Sequence, residues 1–149
     1  MRPAAQRTKV PAMNLVQEPI RLVSGEAECG FGYAPEVPCV EMSWKGYGSG
    51  GAFREANEQI LALIAERRST RLLGDVENLG PIDEGDQVWL ARDWLPRAAA
   101  AGLRFVALIT PAFDMDHAPM MLVGERLPAD LTLRYFEDRD AGAAWLANS

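Results

Sequence analysis

Three observations predict an α/β domain built on one layered, mixed sheet. An antiparallel strand pair is suggested near the start, between Ile20 and Lys45. Strand-like and helix-like stretches then alternate to the end of the chain, which implies parallel crossovers of the usual right hand. Two of the later strands, Arg71 to Val76 and Arg104 to Thr110, are short and mostly apolar, as expected of strands covered on both faces. A length of 149 residues suits a single domain. We read residues 14–149 as that domain and residues 1–13 as a flexible arm, since they carry Arg2, Arg7 and Lys9, two prolines and no acid. Met13 is a second candidate start.

Ile20 to Ser24 has aliphatic strand character, and the Gly/Pro-rich stretch from Gly25 to Pro38 is expected to turn the chain. Val40 to Lys45 alternates apolar with polar, the period of a strand with one face buried. After a loop from Gly46 to Gly51, Phe53, Ala56, Ile60, Leu63 and Ile64 fall at helical spacing, with Arg54, Glu55, Glu58 and Arg67 opposite. The next strand, Arg71 to Val76, is expected to carry the acidic Asp75 at its end. Asp83 then suits an N-cap, and Glu84 and Asp86 complement the positive end of a helix dipole. That helix should face inward through Val88, Ala91 and Leu95, kink or restart at Pro96, which cannot donate, and close at Gly102. Pro111 to Asp130 carries only a weak helical pattern around Met120. Leu131 to Phe136 resumes strand alternation, and Asp140 is placed to cap a last helix bearing Ala144, Trp145 and Leu146.

Composition excludes several classes of function. A net charge of −6 opposes the counterion-releasing contacts that bind phosphate backbones, so no nucleic-acid partner is expected. No apolar run approaches the roughly 20 residues of a membrane span. Cys29 and Cys39 lack metal or redox spacing; they read as two reduced cytosolic thiols, with a disulfide across a hairpin as the alternative. A cytoplasmic location follows as the expectation.

No motif compels an enzyme. Gly46-Tyr47-Gly48-Ser49-Gly50-Gly51 satisfies GxGxxG, and Asp75 follows near the next strand's end, as in dinucleotide-binding folds. Yet the preceding strand carries Glu41, Ser43 and Lys45, so a glycine/serine loop between an edge strand and a helix is the plainer reading. His117, the one histidine, sits with Asp114 and Asp116 in a cluster too short to enforce a zinc geometry, and no metal site is assigned. Ser43, Ser49 and Ser69 have no evident base or nucleophile elbow, and the pair Asp83 and Asp86 has no accompanying signature of acid–base work. No catalytic residue and no cofactor are expected. Trp44, Trp89, Trp94 and Trp145 read mainly as packing residues. Trp89 and Trp94, five apart, lie about 140° apart on an ideal helix, so one of them should reach a pocket or an interface. Phe113, Met115, Met120 and Met121 offer soft apolar surface for the core, a protein partner or a homodimer.

The strand end Trp44-Lys45-Gly46, the strand ending in Asp75, the Ile82-Asp83 helix start, Trp89, Trp94-Leu95-Pro96, Gly102-Leu103-Arg104 and Ala144-Trp145-Leu146 together resemble small bacterial STAS-like proteins, similar in fold to anti-sigma-factor antagonists. The resemblance covers about residues 15–147. It implies a mostly parallel sheet of four to five strands, helices mainly on one face, and a signalling role in protein binding rather than catalysis, with a regulatory kinase, an anti-sigma factor or a second copy as partner. In phosphorylatable antagonists the corresponding helix begins Asp-Ser-Ser-Gly, and its first serine takes the phosphate. Asp83-Glu84-Gly85 stands at that place, with a permanent carboxylate and no hydroxyl. The expected partner-binding residues are therefore Asp75, Asp83, Glu84, Gly85 and Trp89. The same acids also simply suit a helix N-terminus. A domain that binds or senses a small apolar ligand, under Trp89 or Trp94, or a nucleotide, at Gly46 to Gly51, is the alternative.

Overall fold

The computed structural model describes residues 20–24, 27–46, 50–80, 82–110 and 127–149. The expectations placed on the N-terminal arm, on Tyr47 to Ser49 and on Pro111 to Arg126 lie outside the described residues. One mixed sheet runs in the order β1 (Ile20–Ser24), β2 (Ala27–Ala34), β3 (Cys39–Gly46), β4 (Arg71–Leu79), β5 (Phe105–Ile109), β6 (Thr132–Phe136). The first two pairings are antiparallel and the other three parallel. The fold class is as expected: α/β, mostly parallel.

β2 lies inside the Gly/Pro-rich stretch that the sequence predicts as a turn. Its Cys29, Phe31 and Tyr33 alternate with Gly30 and Gly32, and the glycines hide the period by leaving the middle of the other face, between Glu28 and Ala34, without side chains. Only residues 35–38 form the turn. β1 consequently pairs with β2 and not with β3, and β3 is interior rather than an edge strand. Cys39, Val40, Glu41 and Met42 are all buried, so β3 is covered on both faces where one was expected. β4 also runs past Asp75 to Leu79, because a register shift between Ser43 and Lys45 lets Lys45 and Gly46 keep pairing with Asn78 and Leu79.

Helix α1 (Gly50–Arg67) buries Phe53, Ala56, Ile60, Leu63 and Ile64, the predicted stripe, against β1 to β3. A second helical run lies on the same face: α2 (Glu84–Trp89), a π-helical turn (Leu90–Trp94), and α3 (Leu95–Ala100). The expected break at Pro96 takes the form of that wider turn just before it, which accommodates a residue that cannot donate to the preceding turn. The wider turn also shifts the buried stripe to Leu90, Ala91, Trp94, Leu95 and Ala98, leaving Val88 half-buried. The run ends as predicted at Gly102, whose φ is +117°; Gly102 N–H donates to Ala99 O and Leu103 N–H to Ala98 O, a paired carbonyl closure that buries Leu103.

The last helix, α4 (Arg139–Ala147), packs on the opposite face against β4 to β6. Its cap is Asp138, not Asp140, whose side chain accepts the Ala141 N–H at 2.8 Å. Among the described residues, helices thus lie mainly on one face, with one short helix on the other. Among the described residues, no helix is long and apolar enough to cross a membrane.

Candidate functional site

The surface that the sequence singles out begins where β3 and β4 end together, Gly80 N–H donating to Gly46 O at 2.7 Å. Ile82 is buried and seats the chain; Asp83, Glu84 and Gly85 are exposed. Asp83 is the residue before α2, but its carboxylate accepts no capping hydrogen bond, contrary to expectation. The local bonds are made otherwise. Gln87 N–H donates to Asp83 O at 2.9 Å, and the Gln87 side-chain amide donates to Ile82 O at 2.8 Å.

The acid this turn draws inward is Asp86, 4% exposed, which accepts from Arg54 Nε of α1 at 2.6 Å. A charge-assisted bond of this kind fixes the direction of the guanidinium as well as compensating the buried carboxylate. The same guanidinium lies 5.1 Å from the ring centroid of Trp89, within cation–π range. Asp86, Arg54 and half-buried Trp89 therefore form one tied unit beside the exposed carboxylates of Asp83 and Glu84, which take part in no ion pair with the described residues. Asp86 and Arg54 were missed as partners: they are 32 positions apart and on different helices, and nothing in their local spacing announces the pair.

Asp75 does not join this group. Alternation along β4 places it with Leu73 on the α4 face, beside Ser43 and Ile109, where its carboxylate accepts the Glu77 N–H at 3.1 Å. On that face the notable pair is Glu41 and Arg139. Glu41, read from its strand period as solvent-facing, is 3% exposed and accepts from Arg139 Nε at 2.7 Å and from Nη2 at 2.9 Å, with Glu36 at 3.7 Å from the same guanidinium. Burial pushes the Glu41 carboxyl above its ordinary range, and the Arg139 bonds and charge pull it back only in part.

The tryptophans divide as expected, one to the core and one to the surface, although the π-helical turn between them alters the angle that an ideal α-helix would give. Trp94 is core, its indole N–H donating to Asn57 O at 2.7 Å, while Trp89 reaches the surface. Trp44 is buried 5.1 Å from Phe53, and half-buried Trp145 packs between Phe105 and Phe136. Cys29 and Cys39 are buried free thiols in different cores, on opposite faces of the sheet, so the hairpin disulfide is not formed. Of the glycine loop, Gly46 is described as the last residue of β3, with φ +88°, and Gly50 as the first of α1. The Asp114–His117 cluster and Met115, Met120 and Met121 lie outside the described residues. Compared with known protein families, with curated proteins and with solved structures, the chain matches none.

Proposed function

We propose that the chain is a non-enzymatic interaction or regulatory module of the kind implied by its resemblance to anti-sigma-factor antagonists, working in the cytoplasm and docking its partner on the surface from Leu79 to Trp94. The observation that supports this is the tied unit of Asp86, Arg54 and Trp89 flanking the exposed Asp83, Glu84 and Gly85. An aromatic ring and a guanidinium already held in place cost little further ordering when a partner arrives, and tryptophan and arginine are the side chains that most often anchor interfaces. The two exposed carboxylates favour a partner surface that presents lysine or arginine. A regulatory kinase or anti-sigma factor is the partner class that the resemblance favours, and a second copy of the chain is the other. Asp75, on the far face, is left out of this surface.

Charge reversal tests the reading. Glu84→Lys is compared with Glu66→Lys, which changes another exposed acid, near the C-terminal end of α1. Capture of the partner from lysate of the source cell, or self-association seen by gel filtration, is expected to be lost only in Glu84→Lys, with both melting temperatures unchanged. Identical capture and association by both variants would place the docking surface elsewhere.

A further inference from the structure

The two faces of the sheet are closed by unequal means. Over the first lie α1 and the long helical run, with Phe31, Trp44, Phe53 and Trp94 in the core between. Among the described residues the second is closed by α4 alone, over a smaller group whose largest fully buried side chains are Leu73, Ile109 and Leu146. The grip of α4 is polar at both ends. Arg139 in its first turn holds Glu41, and Arg71 of β4 donates to Leu146 O at 2.6 Å and to Ser149 O at 2.7 Å. Between these ends Gly142 lets the helix lie close on the sheet: a Cβ there would stand 3.1 Å from Leu73 Cδ1 and 3.5 Å from the Ala107 Cβ. Trp145 adds a half-buried ring between Phe105 and Phe136, but the group stays smaller than the α1-side core, and a unit that buries less apolar surface opens at a lower free energy than the domain as a whole.

We infer that α4 is a detachable cover: it lifts as a unit about the exposed Glu137–Asp138 link, uncovering Cys39, Leu73, Ala107 and Ile109, while the α1 face stays shut. This inference is independent of the docking surface proposed above. The two cysteines of the chain supply a reporter for each face, since Cys29 lies in the α1-side core and Cys39 in the α4-side core.

The test is alkylation of the full-length protein with iodoacetamide in sub-denaturing urea, read peptide by peptide by mass spectrometry, each rate referenced to that cysteine in the unfolded chain. Cys39 is expected to react at least about tenfold faster than Cys29 and almost independently of urea, because local opening exposes little surface; Cys29 should climb steeply with urea through global unfolding. Arg139→Met is expected to raise the Cys39 rate about tenfold or more while Cys29 keeps its urea dependence. Amide exchange at Ala143 to Leu146 should follow the Cys39 rate. One shared rate and urea slope for both thiols in the unaltered protein would overturn the inference, whether or not the variant folds. So would early Cys39 labelling with α4 amides as protected as those of α1, which would locate the opening in the 35–38 turn, and so would a Cys39 rate indifferent to Arg139→Met.

Discussion

Replacing Arg139 by methionine leaves the Glu41 carboxylate, 3% exposed, inside the sheet without its counter-charge. Breaking a buried pair from one side costs about 3–5 kcal/mol, and at about 3 °C of melting temperature per kcal/mol for a chain of this size, the loss is about 10–15 °C. Glu41→Leu should cost less, because Arg139 keeps 26% of its side chain exposed and can turn to Glu36 and water. The double variant Glu41→Leu/Arg139→Met removes both charges. It should return to within about 1 kcal/mol of the starting protein or exceed it, since the pair's mutual attraction only roughly offsets its desolvation. Urea denaturation of the four proteins gives the coupling directly. The pH dependence carries its own sign. A carboxyl held above its ordinary range by burial binds its proton more tightly folded than unfolded, so its contribution to stability is full below the unfolded value and is lost as pH rises through the raised folded one. Arg139→Met removes the influence that lowers it, so the variant's deficit should shrink on acidification from pH 7 towards pH 5. Additive single-variant losses, or a deficit that deepens with acid, would refute the reasoning.

Two further outcomes follow from buried polar atoms. Trp94→Phe keeps a ring in the core but removes the second donor to Asn57 O, a carbonyl inside α1 that keeps its helical partner, so unfolding in urea should show the loss of one net hydrogen bond, about 0.5–1.5 kcal/mol, together with the cost of the smaller ring. Thr110 Oγ1 is buried at the end of β5 with no hydrogen-bond partner among the described residues, so the near-isosteric Thr110→Val should be neutral or stabilise by about 1 kcal/mol, as a thermal melt would register.

Legibility followed the range of the forces involved. The stripe of α1 and the closure at Gly102 depend on neighbours a turn or two away, and both were plain from spacing. The apolar strands β4 and β5 announced their double coverage through composition, although the end of β4 was set by its partner's register rather than by Asp75. β2 was hidden because Gly30 and Gly32 erase one half of the alternation on which strand recognition relies. The π-helical turn was visible only as its cause, Pro96. At the candidate surface, the exposure of Asp83 and Glu84 was legible, but the tie that organises it, Asp86 to Arg54 over Trp89, joins separate helices and is a tertiary fact. Glu41 misled for the same reason: its strand period pointed it to water, and an arginine near the end of the chain met it there.

β3 divides the sheet into two kinds of connection, and this bears on how the chain reaches its final form. On one side, residues 25–26 and 35–38 are all that separate successive strands, so the β1–β2–β3 meander can zip by short loop closures. On the other side every new strand must wait for a crossover, residues 47–70 first and 80–104 next, before its ladder yields any return. The meander is thus the natural template, with β3 offering its free edge to β4 once α1 has folded back. Substitutions in the 35–38 turn should therefore slow folding itself, whereas those beneath α4 should chiefly hasten unfolding.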